Sequence, residues 1–558
     1  MRGKLLGYQD VVKIMKMMLR VLLLAAASFF VYILAGGREI PVSAEKLRIS
    51  LQSDKNGEGC YLFLPSFARL PDVTVLMPKG QEEGIIVSYE ETGAAPAQRE
   101  KQKERGALPR GRALVRAGEQ EFEAEVLQSR NMPCLWVETE EPFEELEADK
   151  EKESTGKLIL YLPGGRKAFQ GEIEAMHGHG NSTWYENKKS WQIKLSAKAS
   201  LLGMDPAKKW LLISNVKDPS MMRNKLFLDM SKECSLPGAL SCEWADLYVN
   251  GEYQGLYLLA EKADIAPGRL EIGDLEAENG ELNGDVTAYQ NYTLAGEEET
   301  LLQGWFLPEN PKNIEGGYLL EMEYPVRYAA EPSKFLTRNG QHVVVKSPAY
   351  ASVEEIQYIY AFVQDFESAL FAGDGYLPEG EELDQGRAGV FYTEMMDMDS
   401  FAGRYVLDEI SKNIDANSSS VFFYKPRYAD RLYAGPVWDY DLALGNGGGW
   451  GEADELHKPE GFYVNLAGWS KTLYEKPEFY AAVEKCYQRQ YGPWLEKFLE
   501  TGYEEYRERI RAAAGMDNCY RGIDSWEEGT EDMRKFLEER KIWLDGQWGG
   551  KVEKNEKK

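Results

Sequence analysis

Histidine and closely paired cysteines are scarce in this sequence. The 558 residues include four histidines, at His177, His179, His342 and His457. A zinc site built from histidines is therefore not expected. The six cysteines contain no C-x-x-C pair, which excludes metal ribbons and thioredoxin-like redox chemistry. Acid–base chemistry is accordingly expected to depend on carboxylates or lysines.

Basic residues are outnumbered by acidic ones. The chain has 65 Lys and Arg against 92 Asp and Glu, a net charge of −27. Because a negative field repels phosphate backbones, no nucleic-acid partner is predicted. The composition, 43% hydrophobic and 28% charged, is that of a globular protein and excludes a mostly disordered chain or a polytopic membrane protein.

Only one long apolar run is present, and it lies near the N-terminus. Residues 21–35 read VLLLAAASFFVYILA and follow a basic flank, which is the arrangement of an export signal. Small residues at 42–44 offer a cleavage site, so residues 1–44 are predicted to be a signal peptide. The alternative is an uncleaved anchor through residues 17–35, close to the ~20 residues that span a bilayer. Both alternatives predict a protein outside the cytoplasm, secreted or anchored at the cell surface.

The rest of the chain divides into regions of different composition. Residues 45–97 contain short alternating runs and are predicted to form a small β module. Residues 98–133 begin with a basic stretch and are predicted to be a linker. Residues 134–548 have strand-like runs first and helical runs later, the order of a two-lobed α+β architecture. Within them, residues 263–312 are predicted to be a surface insertion, and residues 549–558 a disordered tail.

Several elements of the large region can be assigned individually. An Asn250-Gly251 turn between two apolar runs predicts a β-hairpin. Apolar residues at helical spacing predict helices over 353–371 and 396–412. The last hundred residues are predicted to be largely helical. Export leaves disulfides open as an alternative to free thiols, and the candidate pairs are Cys234–Cys242 and Cys486–Cys519.

A second predicted hairpin has the strongest functional pattern. Residues 419–424 and 432–438 are strand-like and are joined by a turn. Asp415 precedes the first strand, and Asp439 and Asp441 follow the second. Because the entry and exit of a hairpin lie side by side, we expect all three carboxylates at one end of it.

Crowded carboxylates predict a shared cation. They repel each other unless a cation or a proton lies between them, and Mg²⁺ prefers oxygen ligands together with nucleotide phosphates. We predict Asp439, Asp441 and Asn413 as metal ligands and Asp415 as the general base of a phosphoryl transfer. The alternative is an Asp- and Asn-rich turn that only caps the hairpin.

Two further segments are candidates for binding phosphates. Small residues at 178–184, including Asn181 and Ser182, precede three lysines, and backbone N–H groups and lysines both bind anions. The segment lacks both G-x-G-x-x-G and the P-loop pattern, so a glycine-containing β-turn is the alternative. Arg223 and Asn224 open a predicted helix and could bind an anion or make a local ion pair. The three lysines that follow residues 178–184 are Lys188, Lys189 and Lys194.

These motifs, taken in order, resemble the spore-coat protein H (CotH) kinase-like family over about residues 134–548. The resemblance implies an atypical secreted or spore-surface protein kinase that binds ATP and Mg²⁺ and phosphorylates Ser or Thr of exported proteins. It implies Asp415 as the catalytic-loop aspartate, Asp439 as the metal-binding aspartate, and Lys194 as the phosphate lysine, with Lys188 and Lys189 as rivals. The motifs are GNSTW, KKSWQIKL, SLLGM, KKWLLISN, MMRNKL, LYVNGEYQGLYLLAEK, GGYLLEME, KNIDANSSSVFFYK and GPVWDYDLALGNG.

One departure from the family pattern leaves other functions open. The family usually has Arg before Gly-Asn-Ser, where this chain has His179, and a mostly neutral imidazole would weaken phosphate binding. No His-Arg-Asp motif is present either. A catalytically weak surface or adhesion protein on the same scaffold is therefore the main alternative. A carbohydrate-active enzyme with paired carboxylates is a third class.

Overall fold

The computed structural model describes residues 46–77, 83–91, 110–296, 299–383, 385–447 and 455–550. Within these ranges the strands form three sheets, one of them a closed barrel, and helices are concentrated in the C-terminal half. The chain is therefore an α+β protein, and the barrel was not predicted. In the described residues no helix has the length and apolar character needed to cross a membrane. The predicted signal segment 1–44, the anchor 17–35 and most of the tail 549–558 lie outside the described residues.

The first sheet corrects the predicted linker. Arg110–Ala117 and Gln120–Gln128 pair antiparallel along their whole length, so the linker prediction over 98–133 is wrong from 110 to 128. Arg112 and Arg116 face solvent, where Arg116 pairs with Glu121, and the small apolar residues between them are buried. The sheet order is β1-β3-β4-β5-β6-β2. Its strands are β1 (Leu47–Ser50), β2 (Tyr61–Leu64), β3 (Val73–Leu76), β4 (Glu83–Glu91), β5 (Arg110–Ala117) and β6 (Gln120–Gln128).

The barrel follows and encloses its own apolar core. Its closed order is β10-β11-β13-β12-β7-β8-β9, and Trp191, Ile193 and Trp210 are buried inside it together with Phe143 of helix α1 (Phe143–Ala148). The predicted hairpin around Asn250-Gly251 is confirmed as the β12–β13 pair. The strands are β7 (Cys134–Thr139), β8 (Ser154–Tyr161), β9 (Lys167–His179), β10 (Ser190–Ala199), β11 (Ala207–Ile213), β12 (Cys242–Val249) and β13 (Glu252–Glu261).

The third sheet includes part of the predicted insertion. Residues 263–312 contain helix α3 (Leu275–Asn283) and two strands that extend this sheet at one edge, so they are not an irregular insertion. The sheet order is β14-β15-β17-β18-β16-β19-β20. The strands are β14 (Asn291–Ala295), β15 (Thr300–Trp305), β16 (Tyr318–Met322), β17 (Lys334–Leu336), β18 (His342–Ser347), β19 (Val421–Lys425) and β20 (Tyr433–Ala434).

The remaining helices pack around this sheet and form the largest core with it. Ser352 and Glu355 make a capping box that starts the helix over 353–371, and the prediction of that helix is confirmed. The predicted helix at 396–412 and the helical C-terminal region are confirmed as well. The helices are α2 (Arg223–Glu233), α4 (Pro325–Ala330), α5 (Val353–Phe371), α6 (Met398–Ser411), α7 (Gly468–Tyr474), α8 (Pro477–Cys486), α9 (Gly492–Lys497), α10 (Tyr503–Arg521) and α11 (Trp526–Trp548).

All six cysteines lie in the described part of the chain, and none of them is in a disulfide. Cys234 and Cys242 are buried on either side of their Pro-Gly loop. Cys234 and Cys486 line one cavity of about 420 Å³, and Cys242, the predicted partner of Cys234, is not among its lining residues. Burial raises the pKa of both thiols to about 12, which keeps them protonated and unreactive at neutral pH.

Candidate active site

A short hairpin brings the predicted carboxylates together. Strands β19 and β20 pair antiparallel, with Phe423 opposite Ala434, so the segment before β19 lies beside the segment after β20. The hairpin prediction is confirmed, although β20 has only two residues. Asp415 lies in the entry segment, and Asp439 and Asp441 lie in the exit segment.

The environment of the three carboxyl groups favours a bound cation. Burial, followed by the neighbouring charge of Asp415, raises the pKa of Asp439 to about 6. Burial and then the adjacent Asp439 hold the pKa of Asp441 well above its usual range. Burial also raises the pKa of Asp415, against a hydrogen bond from Tyr324 that lowers it. A cation between Asp439 and Asp441 would relieve their repulsion.

Asn413 joins the two segments of the site. Its Nδ2 donates to the backbone oxygen of Asp439 at 2.9 Å, and its Oδ1 lies 3.4 Å from the backbone nitrogen of Asp415. The residue before it, Lys412, has a left-handed backbone, and its ammonium donates to three backbone oxygens of the 455–460 loop. Asn413 therefore positions both aspartates, whether or not its Oδ1 also binds a metal.

Arg223 and Asn224 hold the exit segment from the opposite side. Asn224 Oδ1 accepts from the backbone nitrogen of Tyr440 at 2.7 Å, directly between the two aspartates. Arg223 Nε donates to the backbone oxygen of Ala443 at 2.9 Å, and its Nη1 pairs with Asp218 at 2.5 Å. Both side chains are buried. The Arg223–Asp218 contact is the local ion pair that was one of the two predicted alternatives, and anion binding by Arg223 and Asn224 stays a prediction.

The three predicted phosphate lysines are engaged elsewhere. Lys188 is buried in an ion pair with Asp517 of α10 at 2.5 Å and also donates to the backbone oxygen of Leu256. Lys189 donates to the backbone oxygen of Trp184 and lies over its ring. Lys194 projects from the outer face of the barrel and pairs with Glu174 at 2.5 Å. These contacts assign structural roles to Lys188 and Lys189 and leave Lys194 on an exposed surface.

Two cationic residues that were not among the predicted site residues act on the carboxylates. The charge of Lys217 acts on both Asp415 and Asp441, and that of Arg327 acts on Asp415 and Asp439. Lys217 lies in the loop after β11, in the S-N-V-K-D-P segment. No motif distinguished it, because its proximity to the hairpin depends on contacts between distant parts of the chain.

The loop between β9 and β10 lies beside the same cluster. Glu186 of this loop is 3.9 Å from Lys217 Nζ. Asn181 and Ser182 are exposed, and Gly180 has φ +87°, a conformation that favours glycine. These exposed polar groups keep Asn181 and Ser182 as candidates for anion contacts. The connection is longer than the predicted glycine-containing β-turn, because Ser182–Tyr185 form a 3-10 helix between the two strands.

His179 lies at the end of β9 among cations. Burial, and then the charges of Lys262 and Lys150, lower the pKa of the His179 imidazole to about 4. Lys346 of β18 contributes to the same effect, so the barrel and the third sheet present cations to a common region. His179 is therefore neutral at pH 7, as the sequence departure predicted for a histidine at this position.

The donor set is suited to a hard cation that also binds a ligand. Among the described residues, no three His, Cys, Asp or Glu side chains converge as a complete metal site. Two crowded carboxylates, Asp439 and Asp441, remain as donors. Mg²⁺ commonly binds through one or two carboxylates and takes its other oxygen ligands from water and substrate phosphates, so the residues fit this ion.

Comparison with known proteins identifies a family that the chain matches. A family model described as "CotH kinase protein" matches residues 176–299 and 381–544, which together make up more than half of the chain. The second segment contains Asn413, Asp415, Asp439 and Asp441, and the first contains the β9–β10 loop and Lys217. No curated protein matches the sequence.

Proposed function

The chain belongs to the CotH kinase family, and from this membership and the hairpin carboxylates we propose that it is an atypical protein kinase. The reaction is Mg²⁺-dependent transfer of the γ-phosphoryl group of ATP to Ser or Thr of exported or surface proteins. In this proposal the barrel and the third sheet with its helices correspond to the two lobes of a kinase-like architecture. The observation that carries it is the meeting of Asp415, Asp439 and Asp441 at one end of the β19–β20 hairpin.

The three aspartates differ in the roles that their surroundings support. Asp415 accepts a hydrogen bond from Tyr324 on Oδ1, which leaves Oδ2 for the proton of an attacking hydroxyl. The hydroxyl oxygen forms a bond to the γ-phosphorus, the bond to the β,γ-bridging oxygen breaks, and ADP leaves. Asp439 and Asp441 would hold Mg²⁺, which when bound neutralises phosphate charge.

The cations near the site support binding of a polyphosphate. Lys217 lies beside the carboxylates, and Lys262 and Lys346 extend the positive region toward His179. Lys346 is shared between Glu321 at 3.3 Å and Glu331 at 2.9 Å. A triphosphate would compete with these carboxylates for the ammonium groups, as oppositely charged groups do in a partly buried site.

The location of the reaction is part of the proposal. The apolar run at 21–35 and its basic flank support export, by a cleaved signal or with an anchor through residues 17–35. The expected partners are a nucleotide and a Ser- or Thr-containing protein. The net charge of −27 argues against nucleic acid.

A surface scaffold without phosphoryl transfer is the second candidate. The observation that favours it is the neutral His179 in the place where relatives of this family usually carry Arg. A neutral imidazole contributes less than a guanidinium to binding a phosphate. This candidate predicts that the protein binds Mg·ATP weakly and transfers no phosphate.

The test is transfer of labelled phosphate from γ-labelled ATP by purified residues 45–558, with Mg²⁺, to itself and to Ser-rich exported proteins. We expect incorporation by the wild type. Asp415→Asn should lower the rate by roughly 10²–10⁴, the usual contribution of a positioned general base, and leave Mg·ATP affinity within a few-fold. No incorporation by the wild type would support the scaffold. Full activity of Asp415→Asn would mean that Asp415 is not the general base.

A further inference from the structure

The hydroxyl of Tyr324 is the side-chain partner of the candidate base. We infer that Tyr324 is a positioning residue, which fixes the Asp415 carboxylate so that Oδ2 faces the acceptor hydroxyl. The inference rests on the proposed phosphoryl transfer. Tyr324 lies 91 positions from Asp415 in the chain and in a different element, and no motif selected it.

Sheet register explains why these two residues meet. Strand β16 pairs antiparallel with β19, and Met322 near the end of β16 lies opposite Val421 at the start of β19. The residues just after β16 therefore lie beside the residues just before β19. Tyr324 is the N-cap residue of helix α4, and Pro325 occupies the first helical position, where its fixed φ suits the start of a helix.

The backbone and the side chain of Asp415 have different hydrogen-bond partners. Its backbone oxygen accepts from the backbone nitrogens of Ser418 and Ser419, at 2.9 and 3.1 Å. These bonds hold the turn but not the carboxylate. Within the described residues, the side-chain hydrogen bond to the carboxylate comes from Tyr324 Oη, at 2.8 Å to Oδ1. The rotamer of Asp415 therefore depends on Tyr324.

The residues that flank Tyr324 in the chain are held in place by side-chain hydrogen bonds. Arg327, one turn along α4, donates to Glu323 at 3.2 Å and to Ser419 Oγ at 3.0 Å. Ser419 Oγ in turn donates to the buried Glu323 at 3.2 Å. The start of α4 is thus fixed to the entry segment. Tyr324 remains 38% exposed, so an acceptor segment can reach the carboxylate that it holds.

A positioned carboxylate matters most in the transition state. Holding a reacting group in a productive orientation lowers the barrier without tightening the binding of the other substrate. Loss of the phenolic hydroxyl should consequently lower kcat and leave the KM for Mg·ATP nearly unchanged. A role limited to loop stability would instead lower thermal stability and kcat and raise the KM for Mg·ATP.

The chain offers a matched control for this distinction. Tyr463 Oη donates to the backbone oxygen of Ile414 at 3.0 Å, one residue before Asp415 and on the same turn. Its hydroxyl therefore supports the loop without contacting the carboxylate. Tyr463→Phe removes one hydrogen bond from the turn, as Tyr324→Phe does, but leaves the Asp415 side chain with its partner.

The experiment measures steady-state phosphoryl transfer, Mg·ATP affinity by calorimetry, and thermal unfolding for the full chain and its variants. For Tyr324→Phe we expect kcat to fall about 10- to 100-fold, the worth of one hydrogen bond to a charged group, with Mg·ATP affinity within about twofold of the wild type. Tyr463→Phe should retain kcat within about threefold. In the Asp415→Asn background, Tyr324→Phe should change the residual rate by less than about twofold.

Three outcomes would overturn the inference. The first is an unchanged kcat in Tyr324→Phe, and the second is an equal loss in Tyr463→Phe. The third is an undiminished effect of Tyr324→Phe in the Asp415→Asn background, which would mean that the two residues act separately. A wild type that transfers no phosphate rejects the proposed function itself and the inference with it, a result that differs from all three.

Discussion

Asp439 combines two features that are costly for a folded protein. Its backbone is left-handed, with φ +65°, a region that non-glycine residues seldom adopt. Its carboxyl is also crowded by Asp441 and by Asp415. Asn413 and Asn224 fix the backbone of this short segment through the Asp439 oxygen and the Tyr440 nitrogen. Strain that is held in place by surrounding hydrogen bonds is typical of functional sites.

The raised pKa of Asp439 has a consequence for stability. The pKa of Asp439 is about 6 in the folded chain against an ordinary value of 3.8 for an aspartate, so the folded state binds more protons between these two pH values. The contribution of Asp439 to the free energy of unfolding is therefore present below about pH 4 and is lost as the pH rises through about 6. A cation bound by the ionised pair restores it, so Mg²⁺ should raise the melting temperature more at pH 8 than at pH 5. Thermal unfolding with and without Mg²⁺ measures the difference.

A variant pair separates this effect from general ionic stabilisation. Asp439→Asn should abolish the pH-dependent Mg²⁺ response. Asp430→Asn should retain it, because Asp430 is an exposed carboxylate on the far turn of the same hairpin. A Mg²⁺ response that survives in Asp439→Asn would remove Asp439 from the metal site.

Some residues of the site could be predicted from the sequence and others could not. Asp415, Asp439 and Asp441 were found because a hairpin is a local structure whose ends can be inferred from spacing. Local spacing could not show which of the candidate phosphate lysines, if any, faces the site. Lys188 and Lys189 are neighbours in sequence, yet one pairs with Asp517 of α10 and the other contacts Trp184. Tyr324 and Lys217 approach the site only through the assembled sheets.

Elements with a regular apolar spacing were predicted correctly. An element whose composition is untypical of its secondary structure was missed. Helix α5 and the β12–β13 hairpin have regular apolar spacing and an Asn-Gly turn. Strand β5 carries Arg at alternate positions, so its basic composition suggested a linker. The closed barrel depends on the parallel pairing of β7 with β12, a long-range contact with no local pattern.

Strand β13 contains a glycine that the packing of two elements requires. Gly255 has φ +117°, and a Cβ there would lie 2.4 Å from Asp517 Oδ1 and 2.6 Å from Lys188 Cε. Gly255→Ala should therefore disrupt the buried Lys188–Asp517 ion pair between the barrel and α10. Breaking a buried pair costs about 3–5 kcal/mol, so we expect a loss of several kcal/mol in the free energy of unfolding, measured by urea denaturation.

Gly203 provides the control for backbone strain alone. It also has a positive φ, +81°, but a Cβ at Gly203 would have nothing within 4 Å. Gly203→Ala should cost only about 1 kcal/mol, the usual penalty for a left-handed non-glycine residue. Equal losses in the two variants would mean that the contacts of Gly255 with Asp517 and Lys188 contribute little.

At the scale of the whole molecule, the N-terminal sheet is joined to the rest by a shared core. Phe63 of β2 is fully buried, and its ring lies 5.0 Å from that of Tyr253 in the barrel and 5.9 Å from that of Tyr520 in α10. Trp136 and Met516 belong to the same cluster. The family match begins at residue 176, inside β9. The matched segments therefore do not include β7 and β8, which the barrel needs for closure.

This shared core predicts that the sheet and the barrel unfold together. Phe63→Ala should lower the free energy of unfolding by about 3–5 kcal/mol, as expected for removing a buried aromatic ring. The effect should reach α10, because Tyr520 loses a packing partner, and faster amide exchange in the last turns of α10 would report it. Phe306→Ala, at a ring that is 54% exposed, is the control and should change stability little. If Phe63→Ala instead produced a separate early transition with exchange in α10 unchanged, the N-terminal sheet would be an independent unit attached to the kinase-family region, and its removal would leave that region folded.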